Sequence, residues 1–208
     1  MIEKLPQLVI LFFSIVFHEV AHGRVALWRG DTTARDAGRL TMNPIPHIDI
    51  FGTILFPLFL ILTRSPVLFG WAKPVPINPW RFRESKKDMA LVGASGPASN
   101  FFLAVVIGIF FRLFLRTLGS SHPLTQALFF GVFINLVLAF FNLIPIPPLD
   151  GSRIVMGFLP DDLALAYSRI ERYGFIIIFV LLFLGIFQHI LFPVVHIFLV
   201  LILGVSPY

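Results

Sequence analysis

The sequence predicts an all-α, multi-pass membrane protein with one small β-hairpin, built as a single domain over residues 1–208. Its core would occupy residues 5–154, followed by C-terminal hydrophobic helices within 173–205. Hydrophobic residues make up 57% of the chain and charged residues only 13%, whereas soluble proteins carry about 25% charged residues. Several apolar runs are long enough to cross a bilayer, which takes about 20 residues. A short alternating stretch in a polar segment suggests the hairpin.

The first apolar run, residues 5–29, is expected to form a membrane-spanning helix. It begins close to Met1 and has no small-residue cleavage site after it, so we expect a retained span rather than a removed signal peptide. The polar residues 31–50 follow and contain the predicted hairpin. In residues 70–80, "GWAKPVPINPW", each proline pushes the residue before it towards an extended conformation.

Residues 51–71 are apolar but interrupted by Pro57, and two topologies are open to them. If they cross the membrane, nine Lys and Arg residues of the loops fall on one side and five on the other. If they dip in and return to the same side, the division becomes eleven against three, which agrees better with the excess of positive charge in cytoplasmic loops. We therefore predict a re-entrant segment, an N-terminus outside the cell membrane and residues 30–90 in the cytoplasm.

Two further spanning helices are predicted, at residues 90–117 and 124–144. Residues 152–172 are polar and are expected to be partly helical. The 33 apolar residues 173–205 are too many for one perpendicular span, because such a helix would measure about 50 Å. Pro193 is expected to kink or divide this stretch, so one bent helix and two short helices both remain open.

The composition excludes several kinds of site. The chain has no Cys, so a disulfide framework, a thiolate metal site and a Cys nucleophile are all ruled out. Its formal charge of +5 could indicate nucleic-acid binding, but in a membrane protein Lys and Arg collect in cytoplasmic loops. The predicted environment is therefore the lipid bilayer, without a nucleic-acid partner.

Three ionisable residues stand within the first apolar run, in the sequence "HEVAH": His18, Glu19 and His22. Residues four apart lie on the same face of a helix, so both imidazoles could bind one zinc ion. Glu19, beside them, could act as a general base on water. The alternative is a pair of buried, hydrogen-bonded histidines with a paired glutamate. Ionisable groups are costly inside a bilayer and are functional candidates there, which favours the metal site.

A catalytic zinc site needs a third protein ligand and an open position for water. Geometry favours Asp150, which follows the helix at 124–144. One intervening crossing makes this helix parallel to the first, so that their carboxyl ends meet at one side of the membrane. Prolines within 145–148 end the helix there, and Gly151 permits a tight turn. The other candidates for the third ligand are Asp31, His47, Asp49, Glu171, His189 and His196.

Four motifs, "HEVAHG", "GWAKPVPINP", "SGPASN" and "NLIPIPPLDG", occur in this order over most of residues 17–154. In this combination the chain resembles the site-2 protease family of intramembrane zinc metalloproteases, and specifically its short members without a PDZ domain. The resemblance implies one Zn²⁺ per chain, bound by His18, His22 and Asp150, with Glu19 as the catalytic base.

The same resemblance implies that Asn142, eight residues before the predicted third ligand, assists in binding the substrate or the oxyanion. On spacing alone it could equally cap a helix end. Asn100 could serve similarly, although the small residues near it also suit tight helix packing. A transmembrane substrate must be unwound before it is cut, and residues 72–78 or 37–42 could add a strand to it, with Val75 as a contact. A strand that pairs only within the protein is the alternative.

The predicted function is therefore that of a zinc-dependent metalloendopeptidase that hydrolyses a peptide bond within or near a transmembrane segment, with its active site towards the cytoplasmic side. The predicted partners are a transmembrane protein or peptide substrate and the lipid bilayer; the sequence specifies neither which substrate nor an oligomeric state. A transporter or channel that relays protons or moves a metal is the main alternative, but no inverted repeat is visible. A catalytically silent scaffold is the third possibility, and the intact Glu19 argues against it.

Overall fold

The computed structural model describes residues 5–63 and 70–204, and all regular structure in these residues is helical. The α-helices are α1 (Leu5–Trp28), α2 (Thr33–Asp36), α3 (Phe56–Leu62), α4 (Ser85–Leu118), α5 (Pro123–Asn142), α6 (Asp150–Phe158), α7 (Asp161–Ser168), α8 (Glu171–Phe183) and α9 (Ile186–Leu203). Short 3₁₀ turns at Ile45–His47 and Pro79–Arg81 and a π-helix at Ile50–Leu55 complete the regular structure of the described residues.

Four of these helices are long and apolar enough to cross a membrane: α1 over Pro6–Trp28, α4, α5 and α9. The three predicted core helices are therefore confirmed as elements of the fold. The main difference is that α4 begins at Ser85 rather than at residue 90. Its 34 residues measure about 50 Å, more than the roughly 30 Å of a hydrocarbon core. One end of α4 therefore extends beyond the apolar layer.

The β-hairpin predicted in residues 31–50 is wrong. This part of the described chain holds no strand, only α2, bends and a 3₁₀ turn. Side chains in this segment accept hydrogen bonds from nearby backbone N–H groups, which a β-ladder would need for pairing between strands. The amide N–H of Asn43 donates to the Thr41 hydroxyl at 3.1 Å, and that of Ile45 donates to the Asn43 side chain at 3.1 Å. Local bonds of this kind compete with strand pairing.

The predicted re-entrant segment, residues 51–71, is helical over Ile50–Leu62. This stretch measures about 20 Å, which is less than the roughly 30 Å needed to cross the hydrocarbon core. Its start meets the chain that follows it, because the Trp71 N–H donates to the Gly52 carbonyl at 3.1 Å. A Cβ on Gly52 would lie 2.2 Å from the Trp71 indole, so glycine is needed for this contact. The connection through residues 64–69 lies outside the described residues, and the re-entrant path stays a prediction.

The apolar C-terminal stretch forms two helices, α8 and α9. The break between them is at Gly185, whose φ of +70° lies in the left-handed region that glycine adopts readily. Pro193, where the sequence predicted a kink or division, lies inside α9. The polar stretch before these helices is largely helical, in α6 and α7, as expected.

The central helix of the fold is α4, which packs against α1, α5, α6 and α9. Where α4 meets α1, the contact at Gly96 leaves no room for a residue larger than glycine. A Cβ on Gly96 would lie 2.4 Å from His22 Cε1 and 2.5 Å from His18 Nε2. The main apolar core lies between α4, α5 and α9, and its fully or almost fully buried members include Ala104, Val132, Leu136, Val195, Leu199 and Leu203.

The turn between α5 and α6, residues 143–149, is supported by the helices that follow it. The Tyr167 hydroxyl of α7 donates to the Pro145 carbonyl at 2.6 Å. Gly174 of α8 packs directly on the turn, since a Cβ at this position would lie 1.8 Å from the Pro147 carbonyl oxygen. The helices α7 and α8 therefore fix the segment that leads into α6.

Gly174→Ala is expected to destabilise the protein, because its Cβ cannot fit against the Pro147 carbonyl unless α8 moves. Overpacking of this kind costs about 1–3 kcal/mol, which lowers Tm by several degrees. Gly131→Ala, a matched change in α5, meets the flexible side chains of Ile107 at 3.3 Å and Ile10 at 3.8 Å but no backbone atom among the nearest contacts. It is expected to keep a Tm near that of the wild type. Thermal unfolding in detergent measures both variants, and equal Tm values would contradict the close contact.

Candidate metal centre

Three buried side chains from two helices meet at one point. His18 and His22 project from α1, and Asp150 is the first residue of α6. The Nε2 atoms of the two imidazoles lie 2.9 Å apart. Asp150 Oδ2 lies 3.0 Å from His18 Nε2 and 3.1 Å from His22 Nε2. In the described part of the chain, these residues form the one group of His, Asp or Glu side chains arranged to hold a metal ion.

Each imidazole is oriented through its other ring nitrogen. His22 Nδ1 lies 2.7 Å from the Val92 carbonyl oxygen, which can only accept, so Nδ1 carries the proton of the neutral ring. His18 Nδ1 lies 2.6 Å from Asn100 Oδ1 and donates to it. Both Nε2 atoms therefore turn a lone pair inward, as in metal-bound histidines whose other nitrogen is held by a hydrogen bond.

The three inward-facing atoms fit zinc. In their neutral forms, with the proton on Nδ1, the two imidazoles and the carboxylate present their lone pairs to one point, and such acceptors repel one another unless a cation lies among them. Imidazole nitrogen and carboxylate oxygen bind zinc at about 2.0–2.2 Å in tetrahedral geometry, which places ligand atoms about 3.3 Å apart. The separations of 2.9–3.1 Å seen here are close to that value. A set of three ligands also leaves the fourth position for water or substrate.

Asp150 reaches the imidazoles because the chain turns sharply after α5. The sequence predicted that the prolines at 145–148 end the preceding helix and that Gly151 permits a tight turn, and the structure makes Asp150 the first residue of α6. Gly151 allows α6 to start against the end of α5, since a Cβ there would lie 2.2 Å from the Leu143 carbonyl oxygen. The second carboxylate oxygen, Oδ1, lies 3.6 Å from the Arg153 guanidinium, whose positive charge partly balances that of Asp150.

Glu19 lies beside the three candidate ligands. Its Oε2 accepts a 2.8 Å hydrogen bond from the backbone N–H of Val75, while Oε1 has no hydrogen bond with the residues that the structure describes. Val75 belongs to the extended segment 70–78, which is fixed within the protein: the Lys73 N–H, for example, donates to the His47 carbonyl at 2.9 Å. One oxygen of Glu19 is therefore held by a backbone group that is itself anchored.

The two asparagines named by the sequence occupy different environments. Asn100 is fully buried in α4 and contacts His18. Asn142 is the last residue of α5, and its side-chain amide donates to the Leu138 carbonyl at 2.9 Å within the same helix. Among the described residues, no hydrogen bond joins Asn142 to the three candidate ligands. A substrate or oxyanion role for Asn142, Asn100 or Val75 stays a prediction.

The alternative third ligands are engaged elsewhere. Asp31 Oδ1 accepts from the backbone and hydroxyl of Thr33, and its Oδ2 accepts from the Asn78 N–H at 2.6 Å. Burial raises the pKa of an aspartate, but these bonds outweigh burial and hold the pKa of Asp31 below its usual value. Asp49 caps the π-helix by accepting from the Gly52 N–H. The group of described residues suited to a metal also leaves out His47, Glu171, His189 and His196.

Two residues that support this centre were missed by the sequence analysis, Asn135 of α5 and Ser14 of α1. Asn100 Nδ2 donates to Asn135 Oδ1 at 2.8 Å and to the Ser14 carbonyl at 3.2 Å. All three residues are almost completely buried. The available signal was the position of Asn135 in the middle of an apolar span, where a polar side chain needs a partner.

Comparison with known proteins is consistent with this geometry. The profile of Peptidase family M50 matches residues 117–185. A Bacillus subtilis protein named "Putative zinc metalloprotease YwhC" is 40% identical over 202 residues, which cover 94% of this chain and 88% of that protein. A Mycolicibacterium smegmatis protein described in the same words, Rip2, is 29% identical over 81% of this chain and 63% of its own length.

A more distant relative is the zinc metalloprotease MJ0392 of Methanocaldococcus jannaschii, which is 25% identical over 73% of this chain and 33% of its own length. No solved structure gives a significant match. The similarity to the Bacillus protein extends over nearly the whole of both chains and includes the part that carries the candidate ligands. The chain therefore belongs to peptidase family M50, the site-2 protease family, and is a zinc-dependent metalloprotease of the membrane.

Proposed function

We propose that the protein is an intramembrane endopeptidase that hydrolyses a peptide bond within or near a transmembrane segment of a membrane-protein substrate. The observation that carries this proposal is the location of the candidate centre. His18, Glu19 and His22 lie well inside the span Pro6–Trp28, and Asn100, which contacts His18, lies inside α4. A substrate bond cut by these residues would be reached within the membrane layer.

We assign His18, His22 and Asp150 as the ligands of a single zinc ion. A zinc ion bound there would act as a Lewis acid that polarises the substrate carbonyl and lowers the pKa of water towards 7. The chain itself fixes the three ligand atoms through the contacts of His18 with Asn100 and of His22 with the Val92 carbonyl. Held in this way, the ligands need little rearrangement when the ion binds.

Glu19 is assigned as the general base. Hydrolysis adds the oxygen of water to the carbonyl carbon, breaks the C–N bond and transfers a proton of the water to the leaving amine. Glu19 Oε1 can take this proton and deliver it, while Oε2 stays bound to the Val75 N–H. The hydrogen bond from Val75 thus orients the carboxylate without using the oxygen that does the chemistry.

Asn142 is assigned as a donor to the oxyanion that forms on the substrate carbonyl. Its side-chain N–H now donates to the Leu138 carbonyl in the preceding turn of α5, and a change of rotamer would release it towards a substrate. The loss of one such donor costs about 3 kcal/mol of transition-state stabilisation in other hydrolases. The family resemblance supports this role; the position at the end of α5, next to the turn that leads to Asp150, is compatible with it.

The extended segment 70–78 is the candidate surface for an unwound substrate. Its residues Trp71, Lys73 and Val75 already direct their N–H groups to Gly52, His47 and Glu19. A substrate strand would therefore meet the other edge of the segment, where Pro74 and Pro76 have carbonyl oxygens but no N–H. The Pro74 carbonyl also accepts from the Arg39 guanidinium at 3.3 Å. Such an edge can accept hydrogen bonds from substrate N–H groups and donates few to substrate carbonyls. The substrate carbonyls would therefore stay free of hydrogen bonds to this segment and open to attack.

Glu19→Gln is expected to abolish cleavage and to leave zinc binding intact, because an amide of the same size cannot take a proton. Cleavage of a purified transmembrane peptide should slow by about 10²–10⁴-fold, while metal analysis still finds stoichiometric zinc. Glu84→Gln makes the same chemical change at an exposed position and should cleave normally. Cleavage that survives a zinc chelator, or normal cleavage by Glu19→Gln, would refute the assignment. Zinc flux without cleavage would indicate a transporter instead.

Val75→Pro is expected to impair catalysis because it removes the backbone N–H that holds Glu19. Proline suits an extended backbone, and Val75 is already followed by Pro76. A hydrogen bond to a charged group contributes about 1.5–3 kcal/mol, so kcat should fall by about 10–100-fold at unchanged zinc content. Val75→Ala shortens the side chain but keeps the N–H. If both variants cleave at the same rate, the bond to Glu19 has no catalytic role.

We also propose that the N-terminus lies outside the cell membrane and that the active site opens towards the cytoplasm, because this orientation places most loop cations inside. The chain has no cysteine, so single cysteines report cleanly on sidedness. In Arg35→Cys, Trp80→Cys and Phe158→Cys, all at exposed positions, an impermeant thiol reagent should label every site from the cytoplasmic side. Labelling of positions 35 and 80 from opposite sides would exclude the re-entrant path of residues 51–71.

A further inference from the structure

A chain of polar side chains crosses the interior of the fold from α5 to α1. It consists of Asn135, Asn100, Ser14 and His18, and we refer to these residues as the polar chain. Each is less than 10% exposed, and they lie on three helices that are long and apolar enough to span the membrane. Polar side chains in such positions are costly unless they bind one another. Asn135 itself belongs to α5, which supplies no candidate ligand.

The hydrogen-bond partners fix the direction of every bond in the polar chain. Asn135 Nδ2 donates to the Gly131 carbonyl at 2.8 Å and to the Ser14 hydroxyl at 2.9 Å. A carbonyl only accepts, so the amide of Asn135 must present its Oδ1 to Asn100. Asn100 Nδ2 then faces two acceptors, Asn135 Oδ1 at 2.8 Å and the Ser14 carbonyl at 3.2 Å. Asn100 Oδ1 is left to accept from His18 Nδ1 at 2.6 Å.

A flip of the Asn100 amide would break this arrangement. Its oxygen would then face the oxygen of Asn135 and the carbonyl of Ser14, and its NH₂ group would face His18 Nδ1. The NH₂ group needs an acceptor, so His18 would have to carry its proton on Nε2. A protonated Nε2 cannot bind a metal.

We propose that Asn135 is a positioning residue for the metal centre: through Asn100 it fixes the tautomer and ring orientation of His18, so that Nε2 is free to bind the ion. The inference rests on the proposed assignment of His18 as a zinc ligand. Asn135 acts at a distance, because its own hydrogen bonds go to Asn100, Ser14 and Gly131.

The first test is the zinc affinity of purified full-length Asn135→Leu, measured by competition with a chromogenic chelator. Leucine has a similar branched shape and cannot accept from the Asn100 amide, which then keeps only the Ser14 carbonyl at 3.2 Å. The zinc dissociation constant should therefore rise by about 10-fold, the low end of the range for direct partners of metal-binding histidines. Thr125→Val is the control in the same helix, since the Thr125 hydroxyl is buried and makes no hydrogen bond with the described residues. It should bind zinc like the wild type.

The second test separates positioning from a general effect on packing by repeating the change in an Asn100→Asp background. A carboxylate presents an oxygen to His18 Nδ1 in either orientation and so needs no neighbour to orient it. In this background the second carboxylate oxygen faces Asn135 Oδ1 and the Ser14 carbonyl, so Asn135→Leu removes one repulsive contact. It should therefore not raise the zinc dissociation constant. Equal losses in both backgrounds would show that Asn135 acts through packing alone and would overturn the proposal.

Stability measurements keep the test decisive if leucine disturbs the fold. The Tm of the zinc-free protein shows whether Asn135→Leu is folded; if it is not, Asn135→Ser takes its place in both backgrounds. An unchanged zinc affinity in a folded variant contradicts the positioning role. A different set of results would contradict the ligand assignment itself. These are a wild type that binds no zinc, or a His18→Ala variant that binds zinc as tightly as the wild type does.

Discussion

The structure depends on the convergence of two imidazole nitrogens and one carboxylate oxygen, which in their metal-binding forms would repel one another without a cation. His18, His22 and Asp150 hold their acceptor atoms 2.9–3.1 Å apart in the protein interior, and several features of the fold serve this approach. Gly96 lets α4 touch the imidazoles, and Gly151 lets α6 begin against α5. A backbone carbonyl and a buried amide hold the outer ring nitrogens. The packing of the helices and the chemistry of the site therefore both depend on the close approach of these three side chains.

Much of the fold could be predicted because its determinants are local. Long apolar runs gave the spans of α1, α4 and α5, and a proline-rich turn gave the end of α5. The hairpin prediction failed because the side chains of Thr41 and Asn43 each accept from the backbone N–H two residues further on, a competition that residue alternation does not reveal. The break before α9 was placed at Pro193, yet proline is tolerated inside this helix, and the chain changes direction at Gly185, where φ is positive.

For the candidate site, too, some residues could be predicted from local sequence patterns, and others depend on tertiary contacts. The spacing of His18 and His22 on one helix is visible in the sequence, and a count of membrane crossings sufficed to choose Asp150. The bond between Glu19 and the Val75 N–H joins positions 56 residues apart and depends on a backbone group that has no sequence signature. Asn135 was missed for a related reason: an isolated asparagine in an apolar span indicates a partner but does not identify it.

The contact between Gly174 and the Pro147 carbonyl bears on how small a working fragment could be. The sequence motifs end near residue 154, which suggests that the remaining helices are dispensable. Yet Tyr167 and Gly174 contact Pro145 and Pro147 in the turn that leads to the candidate ligand Asp150. A protein shortened after α6 would leave that turn facing lipid or detergent on one side. The minimal unit for reconstitution or for grafting into another scaffold therefore includes α7 and α8, and also α9, which completes the apolar core with α4 and α5.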